Sequence, residues 1–176
     1  LEVASVAEGL PEVILIPEGP VFFGCNDEID YLCMRHESPS REVHVASFEI
    51  DRTEVTVAQY EECIENGGCT SNGAVAMAVS CNWAKEKRVK HPMNCVSWSE
   101  ADAFCKWKGK RLPYEAEWER AARGDDRRRF PWGDDQGPSC ARVIMYEEGE
   151  GGNGCGRLST SVVGSRGEGA SPYGVL

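Results

Sequence analysis

The sequence is poor in positive charge: 19 lysine and arginine residues stand against 29 aspartate and glutamate residues, which gives a net charge of −10. A protein that binds the phosphate backbone of a nucleic acid needs a local excess of positive charge. The densest basic run, Arg127–Arg129, directly follows Asp125 and Asp126, and we interpret it as a solvated loop. The composition therefore argues against a nucleic-acid partner.

Long apolar segments are also missing. No stretch approaches the roughly 20 consecutive apolar residues that a membrane-spanning helix needs, so we expect no transmembrane segment. The first residues are neither basic nor apolar enough for a secretion signal, and we expect that any such signal has been removed or lies outside this sequence. We interpret residues 1–12 as a leader segment with little pattern and residues 13–176 as one domain.

The common histidine-dependent sites are absent as well. His36, His44 and His91 each stand alone in a predicted loop or strand, and none of them completes a serine–histidine–aspartate set. No Cys-x-x-Cys pair or cysteine–histidine cluster has the spacing of a zinc site. We therefore predict neither a catalytic triad nor structural zinc.

Cysteine, in contrast, is abundant, with nine residues in a chain of 176. This content without zinc spacing is typical of disulfides and of an oxidising, extracytoplasmic compartment: secreted, periplasmic or cell-surface. Spacing alone leaves the connectivity open. Among the alternatives we favour bonds between cysteines that are close in sequence, namely Cys25–Cys33, Cys63–Cys69, Cys81–Cys95 and Cys140–Cys155. Because nine is odd, at least one cysteine is free or bonded outside this chain.

Hydrophobic periodicity predicts an α+β domain with little regular secondary structure. The predicted strands are Val13–Ile16 and Val21–Phe23, paired as a hairpin, Glu42–Ile50 with a bulge or bend at Ala46–Ser47, and a short strand at Arg142–Tyr146. Capping-box patterns, Thr56 with Gln59 and Ser97 with Glu100, predict helices that end near Asn66 and Lys108. Long loops are predicted for most of the remainder.

The most regular pattern lies in Lys110–Gly124. Pro113 suits the start of a helix and Gly124 suits its C-cap. We predict that the apolar face of this helix consists of Leu112, Ala116, Trp118, Ala121 and Ala122. We interpret Glu115, Glu117 and Glu119 as partners of Arg111, Arg120 and Arg123 in ion pairs, not as acid–base groups.

Four segments, in this order, resemble the formylglycine-generating enzyme (sulfatase-modifying factor) family: Ile14–Gly24, Phe48–Tyr60, Pro92–Trp107 and the motif RLP-x-EAEWE-x-AARG followed by PWGD. The motif residues are Arg111, Leu112, Pro113, Glu115, Glu117, Trp118, Glu119, Arg123, Gly124, Pro131, Trp132 and Gly133. The resemblance extends from about Pro11 to Leu176 and implies a variant of the C-type-lectin-like fold. Tyr114 stands where the family usually has threonine, and we expect a loss of about 1 kcal/mol in capping unless the ring packs.

The resemblance also implies a longer domain. Ser171–Leu176 is similar to the segment that leads into a later family motif, and that motif is absent from the sequence. We therefore expect the domain to be incomplete at its C-terminus, with the remainder of the same domain, or another protein chain, as its partner.

Family members that generate formylglycine bind copper(I) through two late cysteines and use oxygen to oxidise a cysteine of the substrate. None of the nine cysteines here matches that pair by motif, so the resemblance assigns no catalytic residue to this chain. It does imply that Cys105 pairs with a cysteine near the C-terminus of the domain, which would make it the odd cysteine. The alternative is a buried thiol that acts as a small apolar group.

A family calcium site uses an asparagine shortly after the Pro-Trp-Gly turn. Arg142 or a neighbour occupies that place by order, and arginine cannot ligate a cation. Glu147, Glu148, Glu150 and Asn153 offer oxygen ligands nearby, but a glycine- and glutamate-rich loop is more often solvated. Calcium thus stays an open prediction.

Taken together, the residues favour a non-catalytic, extracytoplasmic binding or assembly module of this family. The alternative is a copper-dependent oxidase that produces formylglycine, with its catalytic cysteines in the segment absent here; some family members are instead parts of iron-dependent enzymes. A third reading, an isolated carbohydrate-binding lectin, would need a calcium site. Whether the protein is an enzyme is left undecided by the sequence.

Overall fold

The computed structural model describes residues 12–26, 30, 33–71, 80–146 and 153–176. The regular elements of this described part are β1 (Val13–Ile16), β2 (Gly19–Phe23), β3 (Arg41–Val45), β4 (Phe48–Asp51), α1 (Val57–Glu65), α2 (Trp98–Trp107) and α3 (Glu115–Arg123), with short 3₁₀ turns at Glu86–Arg88 and Gly167–Gly169. This is the α+β architecture expected from the sequence. None of the described helices combines the length and the apolar character needed to cross a bilayer.

The chain forms two compact units. The first contains Thr53–Leu112 and Ile144–Ser165, and the second contains Pro113–Val143, Arg166–Leu176 and the described part of Ala7–Arg52.

In the second unit, the strands pair across long sequence separations. β1 is antiparallel to β4, with Ile16 opposite Phe48, and β2 is antiparallel to β3, with Gly19 opposite Val45. The predicted hairpin between the first two strands is therefore wrong. The predicted bend at Ala46–Ser47 is confirmed, because the third predicted strand divides there into β3 and β4.

Arg120 of α3 explains why β1 and β2 do not fold onto each other. Its side chain is buried, and it donates hydrogen bonds to the carbonyl oxygens of Pro17 (3.1 Å), Glu18 (3.3 Å) and Pro20. A β-carbon on Gly19 would lie 2.7 Å from the Arg120 Nη2 atom, so this approach requires glycine. The guanidinium thus holds the turn between the strands, where an ion pair had been predicted for it.

The face that α3 buries differs from the predicted apolar face. Glu117, Arg120 and Ala121 are buried, whereas Trp118 is 62% exposed. The buried set has the i, i+3, i+4 spacing of one helix face. Ala121 of the predicted face is buried as expected, but Trp118 is not, because Arg120 takes a buried position of the helix by binding backbone carbonyls inside the unit.

The observed ends of α3 differ in part from those predicted. The helix begins at Glu115, with Tyr114 as N-cap, so Pro113 precedes the helix and is not its first residue. The Tyr114 side chain makes no capping bond and is 70% exposed, so packing of the ring does not replace the missing cap. The backbone N–H of Tyr114 donates to Glu117 Oε2 at 2.8 Å. Gly124 ends the helix at φ 72°, as predicted.

The first unit is built around two capped helices. Both predicted capping boxes are present, with Thr56 before α1 and Ser97 before α2, and both helix predictions are confirmed. Tyr60 of α1 stacks on Phe104 of α2 with ring centroids 5.7 Å apart. The buried core of this unit contains Tyr60, Cys63, Cys69 and Phe104.

A buried polar network crosses the loops of the first unit. The Asn82 side chain is fully buried and donates to Pro92 O (2.8 Å) and Thr160 Oγ1 (2.9 Å). His91 Nδ1 lies 2.8 Å from the same hydroxyl of Thr160. Burial lowers the pKa of His91, and the positive charges of Arg88 and Arg157 lower it further.

This network predicts a pH-dependent stability. Because the folded-state pKa of His91 lies below its ordinary value of 6.5, the unfolded chain binds the proton at higher pH. The free energy of unfolding should therefore fall as the pH drops from about 7 to 5. We expect His91→Gln to reduce this slope in urea titrations relative to the parent protein. An unchanged slope in the variant would contradict the assignment.

The buried guanidinium gives a second prediction. Arg120→Lys retains the charge but cannot present the guanidinium fork to three carbonyls. We expect it to lower the free energy of unfolding by about 2–4 kcal/mol, since it leaves buried acceptors unpaired. Arg35→Lys, at an exposed position, should change it by less than about 0.5 kcal/mol. Denaturant unfolding measures both, and a loss below about 1 kcal/mol for Arg120→Lys would refute this role.

Candidate ligand-binding cleft

A cleft of 720 Å³ opens on the second unit, and we name it the Trp118 cleft. Its walls are the segment after β2, the residues that lead into β3 and one side of α3. This volume is within the range of pockets that hold small organic ligands. The exposed indole of Trp118 provides a large apolar surface beside polar groups.

Arg123 organises the charged centre of the Trp118 cleft. Its guanidinium contacts Glu119 Oε1 at 3.0 Å and Asp30 Oδ1 at 3.3 Å, and its Nε donates to Arg128 O at 2.7 Å. The backbone N–H of Gly24 donates to the other carboxylate oxygen of Glu119 at 3.1 Å. The predicted ion pair between Glu119 and Arg123 is thus confirmed.

The surroundings of the Glu119 carboxyl change its pKa. Burial raises its pKa above the ordinary value, and the nearby Asp30 raises it further, whereas the Gly24 N–H and Arg123 act in the opposite direction. Desolvation therefore outweighs the ion pair, and Glu119 accepts a proton more readily than an exposed glutamate does.

The lining of the Trp118 cleft has more negative than positive charge. Asp30, Glu37, Glu115 and Glu119 provide four carboxylates, and Arg41 and Arg123 provide two guanidiniums. Arg123 contacts two of the carboxylates, Glu119 and Asp30, and the remaining charged groups of the lining are the carboxylates of Glu37 and Glu115 and the guanidinium of Arg41.

A second, smaller depression of 200 Å³ shares Gly24, Arg41 and Arg123 with the cleft. We name it the Arg127 pocket. Arg127 lies over the ring of Phe22, 3.5 Å from its centroid, and Arg41 lies 5.5 Å from the centroid of Phe23. Both guanidiniums are therefore positioned by aromatic rings of β2.

The cysteines are almost all oxidised. The structure joins Cys25 to Cys33, Cys63 to Cys69, and Cys81 to Cys95, the pairs favoured from sequence. Cys140 and Cys155 are also disulfide-bonded. Cys105, on α2, takes part in none of these bonds and is half-buried.

This oxidation state bears on copper(I), the metal implied by the resemblance. Copper(I) takes soft thiolate ligands, and the sulfur atoms of a disulfide are not thiolates. Eight of the nine cysteines are disulfide-bonded, so the chain in this state does not fit a copper site made of two thiolates. Among the described residues, one group has metal-ligand spacing, Cys25, Asp30 and Cys33, and two of its three members form a disulfide.

In the described part of the region considered for calcium, the structure adds no support for a calcium site. The segment Arg142–Tyr146 contains no strand, which corrects the prediction. The Arg142 guanidinium donates to Gln136 Oε1 and to Ser139 Oγ at 3.0 Å, so a donor fills the place where a cation ligand was considered. Glu147, Glu148 and Glu150 lie outside the described residues, and calcium stays a prediction.

The motif residues in the turn that follows α3 contact other residues of the same turn. In the turn that follows α3, Phe130 stacks on Trp132 with centroids 5.3 Å apart, and the Trp132 indole N–H donates to Gln136 O at 2.9 Å. Gly133 adopts a φ of 102°, which favours glycine. Pro131 accepts a hydrogen bond from Arg128 at 3.1 Å.

Sequence reasoning missed several residues around the two cavities. Arg127 was assigned to a solvated loop, and no role was given to Arg41 or Phe22. The only signal in the sequence was the aromatic pair at the end of β2, which offers ring faces for arginine. Which arginines use those faces depends on contacts between residues far apart in sequence.

Comparisons with known proteins agree with this architecture. The family model for sulfatase-modifying factor enzyme 1-like domains matches residues 2–176. The solved structure of PvdO from Pseudomonas aeruginosa superposes with a TM-score of 0.68 and covers 99% of this chain and 69% of that one, at 22% identity. At that identity the similarity shows the fold alone.

Two relatives extend the comparison to enzymes. The chain is 30% identical over 188 residues to the formylglycine-generating enzyme of Bos taurus, which covers 83% of this chain and 50% of that protein. It is 32% identical over 187 residues to hercynine oxygenase of Mycolicibacterium smegmatis, covering 92% and 42% respectively. The chain spans about half the length of these relatives or less. With the family model matched along almost its entire length, the chain belongs to the family of sulfatase-modifying factor enzyme 1-like domains.

Proposed function

We propose that this chain is a non-catalytic, extracytoplasmic binding module that holds a cationic segment of a partner polypeptide in the Trp118 cleft. The observation that carries the proposal is the exposed indole of Trp118, which stands in an open cleft with an excess of carboxylates. Aromatic faces and carboxylates together are the groups that attract a lysine or arginine side chain.

The cleft offers both parts of such a contact. Trp118 and Glu115 lie three residues apart on α3, so their side chains are neighbours on one surface of the helix. Glu37 lines the same cleft from the segment before β3. A guanidinium placed over the indole would therefore have carboxylates on two sides.

The disulfides support the proposed location and a rigid binding surface. Eight oxidised cysteines suit a compartment outside the reducing cytoplasm. They also hold loops in place, including the Cys25–Cys33 loop beside the cleft. A ligand would then meet a largely preorganised surface, which reduces the entropic cost of binding.

The proposal predicts the effect of removing the indole. Labelled peptides with one central arginine, or one central glutamate at the same position, are titrated into the full-length protein and followed by fluorescence anisotropy. The arginine peptide should bind more tightly than the glutamate peptide. Trp118→Ala should weaken the arginine peptide about two- to thirtyfold, the range of a cation–π contact.

Trp98 offers a matched control, since it is another exposed tryptophan, on α2 of the first unit. Trp98→Ala should leave the affinity for the arginine peptide unchanged. Equal losses in the two variants, or equal binding of the two peptides, would refute the cleft as a site for cations.

A copper-dependent oxidase that makes formylglycine from cysteine is the second candidate. The similarity to the formylglycine-generating enzyme of Bos taurus favours it, and fold similarity alone does not decide between chemistries. It would need two thiolates other than the eight oxidised cysteines. Copper-dependent formation of an aldehyde in a cysteine peptide by the full-length protein would replace the binding role with this one.

A further inference from the structure

The Arg127 pocket is lined by two exposed arginines, Arg41 and Arg127. Within the part of the chain that the structure describes, neither of their side chains donates a hydrogen bond or forms an ion pair. Arg123, the third arginine of the pocket, is already occupied by Glu119 and Asp30.

Aromatic contacts position these guanidiniums beside the pocket. Arg127 lies 3.5 Å from the centroid of the Phe22 ring, and Arg41 lies 5.5 Å from that of Phe23. An aromatic ring supplies no formal negative charge, so the positive charges of the two arginines remain available to an anion.

The backbone conformation at Arg127 also contributes to the position of its side chain. Its φ is 64°, a left-handed conformation that is uncommon for a residue with a side chain. Asp126 stabilises this turn, since its Oδ1 accepts from the backbone N–H of Arg128 at 3.3 Å and from the Arg128 Nε at 2.8 Å. The turn brings the guanidinium of Arg127 over the Phe22 ring, and the residue remains exposed.

We propose that the Arg127 pocket binds a tetrahedral oxyanion, the phosphate or sulfate group of a monoester, between Arg41 and Arg127. Arginine forks match such oxygens in pairs, and the Ser40 hydroxyl lines the same pocket. The proposed site overlaps the Trp118 cleft at Arg41, which lines both cavities, whereas Arg127 lines only the smaller pocket.

Size and charge both favour a small anionic group. A volume of 200 Å³ is below the range of pockets for drug-sized molecules, so it suits a charged group more than a whole large ligand. Glu42 is the opposing charge in the lining. With Arg123 compensated, two guanidiniums face one carboxylate, and the local charge is positive although the chain carries −10 overall.

Isothermal titration calorimetry tests the site. Phenyl phosphate and phenyl sulfate are titrated separately into the full-length protein at constant ionic strength. We expect saturable binding of at least one ester, weakened at least about tenfold by Arg127→Gln and by Arg41→Gln, since each removes charge-assisted hydrogen bonds. Glu42→Gln should tighten binding. Tighter binding of the phosphate ester would identify a dianion as the ligand, and tighter binding of the sulfate ester a monoanion.

Arg35→Gln is the matched control, because it removes one exposed arginine from the same unit outside the pocket. It should leave the affinity unchanged, and the thermal unfolding of all variants should match the parent. Absence of saturable binding, or equal weakening by Arg35→Gln and Arg127→Gln, would overturn the proposal. Loss of binding in Trp118→Ala would show instead that the anion occupies the cleft.

Discussion

The buried guanidinium of Arg120 donates hydrogen bonds to three carbonyl oxygens of the turn between β1 and β2. A buried charge is costly unless polar groups surround it, so this contact fixes both α3 and the turn. It determines which face of α3 is buried, and therefore that Trp118 points away from the core. The two cavities of the second unit both depend on that orientation, because Arg123 follows Arg120 on the same helix.

This arrangement places charges of opposite sign at the two named cavities of the second unit. Arg123 forms ion pairs with Glu119 and Asp30, so the other carboxylates of the lining face the Trp118 cleft and two further guanidiniums face the Arg127 pocket. Adjacent surfaces of opposite sign are suited to a ligand or partner with both charges. The Cys25–Cys33 disulfide lies beside the Trp118 cleft, and the disulfides together withhold most of the cysteines from metal binding.

Features set by local sequence were predictable, and those set by distant contacts were not. The capping boxes at Thr56 and Ser97 and the short-range disulfides follow from residues near one another in the chain. The false hairpin and the misassigned face of Trp118 share one cause, since both depend on Arg120 reaching carbonyls 100 residues or more away. Likewise, the contact of Arg127 with Phe22 joins residues that are distant in sequence.

The most direct test of a disulfide-locked binding module is a non-reducing peptide map of the full-length protein after alkylation of its thiols. The account predicts linked fragments for Cys25 with Cys33, Cys63 with Cys69 and Cys81 with Cys95, with Cys140 and Cys155 also protected from alkylation. Alkylation of any of these pairs in the native protein would contradict it, because two thiolates would then be present to bind copper(I).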